Sequence, residues 1–159
     1  PSASYFIKSI KFNKELDPID IPIVLPNVFF DLAKWDLRPE AMQSLDSVVA
    51  ILNNNPTIVI EMRSHTDYRD SDDKNAVLSQ KRADTCVSYL VSKGISSQRL
   101  VARGMGESSP FVIPPQYDGY GKGQFEDGST LAEAYIKQQS PEKQEVANQI
   151  NRRTDFKVL

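Results

Sequence analysis

Apolar residues return along this chain in two rhythms. Between residues 57 and 64, Ile58, Ile60 and Met62 alternate with Val59, Glu61 and Arg63, the period of a strand with one better-buried face. Met42, Leu45, Val48, Val49 and Leu52 instead recur at spacings of three and four, a stripe that faces a core from a helix. Pro39 suits the first turn of that helix, where a missing N–H does no harm, and Glu40 sits at the positive end of its dipole. The run Asn53-Asn54-Asn55-Pro56 stops it. Helical spacing resumes with Leu78, Ala83, Cys86, Val87 and Leu90, and Gly94 is expected to close the helix in a left-handed cap.

The remaining elements are shorter. Residues 100–104 read as a strand broken by Gly104, Gly106 and Pro110, and Thr154, Phe156 and Val158 alternate with charged neighbours as a last strand would. Near the start, Pro22 and Pro26 deny donors to a ladder, which favours 27–31 as the strand of that region. Residues 1–18 show little periodicity and are expected to form a lead-in with one short strand. Beyond Pro110, the prolines at 114 and 115 and the glycines and tyrosines of 117–123 predict a long surface loop, read as an insertion over about 112–140. A short helix is expected over 131–138, and another from Ser140, with Ser140 as N-cap and Pro141 in the first position. Helices between successive strands predict an α/β, or α+β sandwich, architecture: one sheet with helices packed on it, as a single domain over 19–159.

Composition narrows the function classes. A chain of 159 residues with 40% hydrophobic content buries a core without staples. Its 19 basic and 21 acidic residues give a net charge of −2, which argues against a nucleic-acid partner. No apolar run approaches the roughly 20 residues of a membrane span, so membrane contact is expected only through a tether elsewhere in a parent protein. The opening Pro1-Ser2-Ala3-Ser4 reads as a domain cut from a longer polypeptide. The single cysteine, Cys86, falls on the apolar side of its helix, where a thiol is small core filling.

The chemistry concentrates between Glu61 and Arg82. Asp67 stands where a strand gives out, and Arg82 lies fifteen positions on, inside the following helix. Asn75, Leu78 and Arg82 share one helical stripe, with Asn75 and Arg82 about 10 Å apart along the axis. An arginine fork matches a carboxylate and an aspartate matches an ammonium, so a zwitterion would engage both. A surface ion pair between strand end and helix explains the same two residues equally well. Other readings are weaker. Ser64, His65 and Asp67 are sequence neighbours rather than groups converging from separate segments, which argues against a hydrolytic triad. Asp67, Asp70, Asp72 and Asp73 lack the glycine and the bidentate glutamate of a calcium loop, since Leu78 stands at the twelfth position. No metal, cofactor or catalytic residue is expected, and the chain reads as a binding module rather than an enzyme.

Several short runs, in order, carry a resemblance. Asn27-Val28-Phe29-Phe30-Asp31, Leu37-Arg38-Pro39-Glu40, His65-Thr66-Asp67, the run from Asn75 to Arg82 and Ala83, Gly104-Met105-Gly106-Glu107, and Asn151-Arg152-Arg153 together resemble an OmpA-like peptidoglycan-binding domain from about residue 27 to the end. The resemblance implies a βαβα-type fold with a mixed sheet and a cleft for the diaminopimelate of the wall's stem peptide, without catalysis. On matching positions, Asp67 would take the ammonium and Arg82 the carboxylate, Asn75 and Arg152 would line the cleft, and Asp31 and Thr66 would lie nearby. It also implies a periplasmic domain, associated with the outer membrane through its parent, that anchors a larger envelope protein to the wall. The segment over about 112–140 departs from the compact pattern of the family. It motivates an alternative: a scaffold whose insertion binds another envelope protein in a secretion or motor assembly.

Overall fold

The strand alternation and the two helical stripes meet in one hydrophobic core. The computed structural model describes residues 22–31 and 33–159. Its elements run β1 (Ile23–Val24), α1 (Pro39–Asn54), β2 (Ile60–His65), α2 (Asp72–Ser92), a 3-10 turn (Ser97–Arg99), β3 (Leu100–Gly106), α3 (Glu133–Ile136), α4 (Pro141–Asn151) and β4 (Thr154–Val158). The lead-in expected over 1–18 lies outside the described residues.

Among the described residues a four-stranded sheet takes the order β1-β4-β2-β3. β2 and β3 are parallel, with Ile60 opposite Leu100, and α2 is the crossover that parallel pairing requires. β4 returns antiparallel between β1 and β2, Phe156 opposite both Met62 and Ile23. The sheet is therefore mixed, with helices packed on it: an α+β sandwich of the expected class. Ile60, Met62 and Phe156 form its inner face, buried against Leu45, Val48, Ile51 and Leu52 of α1 and Cys86 and Leu90 of α2. Gly94 adopts φ +95°, and the N–H of Ile95 reaches back to the Leu90 carbonyl, which completes the expected left-handed cap.

One strand differs from expectation. Residues 27–31 form no strand, and β1 is instead the dipeptide Ile23–Val24 between the two prolines. Among the described residues β1 is the outermost strand of the sheet, and Pro22 and Pro26 flank it rather than stand inside it, so the prolines bound the strand rather than forbid it. Asn27 then takes φ +61°, turning the chain away from the sheet and up over the cleft.

At Gly104 the backbones of β3 and α2 touch. A Cβ there would stand 2.6 Å from the Gln80 Cα and 2.7 Å from the Ser79 hydroxyl. The Gly104 N–H donates to the Gln80 side-chain oxygen at 2.9 Å, and the Gly106 N–H to the Ser79 hydroxyl at 2.9 Å. This contact fixes the axial position of α2, and with it every cleft residue that α2 carries.

The segment read as a surface loop has a core of its own. Ile113, Phe125, Leu131 and Ile136 bury against Ala147 and Ile150 of α4, with Tyr68 packed alongside. The glycines and prolines that suggested an open loop serve the turns of this lobe. Gly121 and Gly123 adopt φ +75° and +79°, and the Tyr117 hydroxyl donates to the Tyr120 carbonyl at 3.0 Å.

Candidate functional site

The cleft begins where β2 ends. The register with β3 shifts between Ser64 and His65, the Thr66 N–H makes a last bond to the Gly106 carbonyl at 2.8 Å, and Asp67 follows. Its turn is held from below by Asn75, whose Nδ2 donates to the Asp67 carbonyl at 3.2 Å and the Asp70 carbonyl at 3.3 Å. Ser71 caps α2 by accepting from the Lys74 N–H, and Asp72 and Asp73 occupy the first turn, where the dipole favours acids. Further along α2, Arg82 is only 6% exposed. Its Nε donates to the Lys34 carbonyl at 3.0 Å and an Nη to the Asp31 carbonyl at 3.2 Å, while its guanidinium lies 5.0 Å from the Phe30 ring centre.

Six of the seven expected residues, Thr66, Asp67, Asn75, Leu78, Arg82 and Arg152, line one cavity of about 420 Å³. Asp31 stands apart: its carboxylate pairs with Arg38 at the surface, and it serves the cleft through its backbone carbonyl alone. Asp67 and Arg82 do not pair with each other, and both are buried, so the surface ion pair is not what they form. Among the described residues Arg82 has no carboxylate partner. Burial, reinforced by the neighbouring Arg152 charge, lowers its pKa to about 10, which still leaves it a cation at neutral pH. The Thr66 hydroxyl is buried at the cleft wall without a hydrogen-bond partner.

Sequence reading missed Arg69 and Glu145, which with Asp67 and Arg152 define the electrostatics. Arg69 and Arg152 both donate to Asp67 Oδ2, at 2.8 Å and 2.6 Å, and both also reach Glu145, at 2.9 Å and 3.1 Å. The result is a closed ring of two arginines and two carboxylates. Burial works to raise the Asp67 carboxyl, but hydrogen bonds from the Arg69 side chain and backbone and from Arg152 outweigh it and hold the group below the usual carboxylate range. The one visible signal for Glu145 was its spacing, seven residues before Arg152 and so on the same side of a helix.

His65 lies outside this cleft chemistry. Its Nε2 shares a 2.8 Å hydrogen bond with Asp155, which also takes Arg63 at 2.7 Å. It is a buried structural hydrogen-bonder, and burial lowers its pKa.

A parallel β-α-β unit, an antiparallel closing strand and a polar cleft where β2 meets α2 define an OmpA-like domain. The OmpA family model matches residues 29–118, and the chain belongs to that family. Over 88 residues it is 43% identical to outer membrane protein A of Citrobacter freundii, a match covering 53% of this chain and 36% of that protein. The chain thus spans about a third of that relative's length. The peptidoglycan-associated lipoprotein from Burkholderia pseudomallei shares the fold with a TM-score of 0.56 at 21% identity, over 92% of this chain and 98% of that one. The cell wall anchor of the T6SS from Pseudomonas aeruginosa does so with a TM-score of 0.54 at 19% identity, over 84% and 76%. Glu145 and Arg152 lie beyond the residues matched by the family model.

Proposed function

We propose that this domain, over residues 19–159, binds peptidoglycan without covalent chemistry and so anchors a larger envelope protein to the wall. The ligand is the diaminopimelate of the stem peptide, its carboxylate on Arg82 and its ammonium on Asp67, with Asn75, Leu78, Thr66 and Arg152 forming the walls. The observation that carries this reading is the state of Arg82: a buried cation without a carboxylate partner among the described residues, lining a cavity it shares with a buried aspartate. A volume of about 420 Å³ suits a small ligand, given that such pockets run from about 300 to 1,000 Å³. The unpartnered Thr66 hydroxyl adds a polar group for the ligand to satisfy. Membership of the OmpA family supports the same reading, as does likeness to a protein titled a peptidoglycan-associated lipoprotein and to one described as a cell wall anchor. The implied location is the periplasm, at the outer membrane through the rest of the parent.

Co-sedimentation with purified insoluble peptidoglycan tests this. Wild-type domain is expected in the pellet, and Arg82→Gln and Asp67→Asn in the supernatant. Full binding by both variants would sink the mechanism.

The lobe over 112–140 favours a second reading, a scaffold that holds another envelope protein. An apolar hollow of about 300 Å³ lined by Phe29, Phe111, Tyr117 and Tyr120 opens beside Arg152. Replacing the lobe with a short linker separates the two: loss of assembly with wall binding retained supports the scaffold.

A further inference from the structure

We propose that Glu145, which does not line the cleft, is the positioning residue that keeps Asp67 open to an ammonium group and so makes the site selective for a zwitterion over a plain dicarboxylate. This rests on the reading of the cleft as a diaminopimelate site and assigns the origin of its charge selectivity.

The ring geometry carries the inference. Arg69 gives one terminal nitrogen to Asp67 and the other to Glu145, and Arg152 divides its two in the same way. Each guanidinium is therefore held to one hydrogen bond per carboxylate. Both bonds to Asp67 fall on Oδ2, while Oδ1 accepts the Arg69 backbone N–H at 3.0 Å. A carboxylate oxygen has two lone pairs, so Oδ1 keeps acceptor capacity toward a ligand. Without Glu145, Asp67 is the carboxylate that both arginines still pair with, and an arginine fork that chelates it through both oxygens would cover Oδ1.

Charge balance points the same way. Asp67 and Asp70 share the cavity wall with Arg69, Arg152 and the buried Arg82, and Glu145 brings the count to three of each sign, which suits a ligand that carries both signs. Removing Glu145 leaves an excess of one positive charge and disfavours an ammonium. Glu145 sits on α4, whose Ala147 and Ile150 are packed into the core of the inserted lobe, and Tyr68, between Asp67 and Arg69, packs against the same core. The lobe thus sets the rotation of α4 that brings Glu145 and Arg152 over Asp67.

Two ligands of equal carbon length separate this role from a general structural one. Titration calorimetry or NMR at pH 7.5 with meso-diaminopimelic acid and with pimelic acid, which has the two carboxylates and no amines, is run on wild type and Glu145→Gln. The expected result is a loss of about three- to fivefold for diaminopimelic acid, within the range of partly exposed charge interactions. Pimelic acid is expected to bind as well as before or better. The split should shrink in 0.5 M salt, where the Debye length falls to a few Å. Glu145→Ala, which removes the same charge by truncation, should reproduce it. Equal losses for both acids, or none for either, overturn the role of Glu145 while leaving the cleft assignment standing. If wild type binds neither diaminopimelic acid nor wall fragments, the cleft assignment falls and this inference with it.

Discussion

Arg152 Nη1 donates to Asp67 Oδ2 at 2.6 Å, joining residues 85 positions apart at the mouth of the cleft. Asp67 is consequently both a candidate ligand group and a structural tie between the loop after β2 and the end of α4. Its side chain is 10% exposed and that of Arg152 31%, so solvent screens the pair only in part. A double-mutant cycle of Asp67→Ala and Arg152→Ala, read by urea unfolding, is expected to give a coupling of about 1 kcal/mol. Asp67→Ala alone should lower the melting temperature as well as wall binding, because it also strips the Arg69 N–H and side chain of their acceptor. Additive effects would show the two residues to be independent.

Arg82 is bound to the loop above it as well as facing the cleft. Lysine keeps the charge but cannot reproduce a fork that donates to the carbonyls of Asp31 and Lys34 while presenting its remaining N–H groups, in the same plane, to a carboxylate. Arg82→Lys is expected to weaken binding of a diaminopimelate-containing tripeptide by at least about tenfold, the loss of one charge-assisted bond. The same variant should change the fluorescence of Trp35, the sole tryptophan, which adjoins Lys34 and stacks under Lys81 at 4.1 Å. Affinity within twofold of wild type would remove Arg82 from the site.

His65 makes stability depend on pH in a defined window. Burial depresses its folded pKa, with Arg153 and Arg63 adding to the depression and Asp155 opposing it. Below the unfolded value of 6.5 the denatured chain binds a proton that the native histidine refuses, so stability falls as pH drops from there toward the folded pKa. The slope is bounded by about 1.4 kcal/mol per pH unit, the value for one proton. Unfolding free energies of wild type and His65→Gln at pH 7.5 and 5.5 check this, since the substitution should flatten the wild-type slope. An unchanged slope would assign the window to another group.

Gly104 is the packing point on which the cleft depends. Gly104→Ala forces a methyl group against the backbone of Gln80, and overpacking of this kind costs about 1–3 kcal/mol or more. A domain of this size loses about 2–4 °C per kcal/mol, so the melting temperature should fall by several degrees. Wall binding should weaken too, because displacement of α2 moves Asn75 and Arg82 relative to Asp67. An unshifted melting temperature would show that the helix and strand have room to part.

The hydrophobic pattern by itself determined the two long helices, the parallel strands β2 and β3 and the closing strand, because amphipathic periodicity is a local property. The prolines and asparagines that bound those elements act within a few residues of where they stand. Short runs such as His65-Thr66-Asp67 and Asn151-Arg152-Arg153 carry the family resemblance, and it is the resemblance, not the periodicity, that implies Thr66 and Arg152 as cleft residues. Tertiary structure alone decided three things. It put β1 between its prolines, because only the sheet order shows that β1 is the outermost of the described strands. It gave the glycine-rich insertion a core, because Ile113, Phe125, Leu131 and Ile136 are too widely spaced for any period and converge only once α4 offers Ala147 and Ile150. It also closed Asp67, Arg69, Glu145 and Arg152 into a ring. Charges attract through space rather than along the chain, and nothing in the spacing states that the pair 67 and 69 meets the pair 145 and 152.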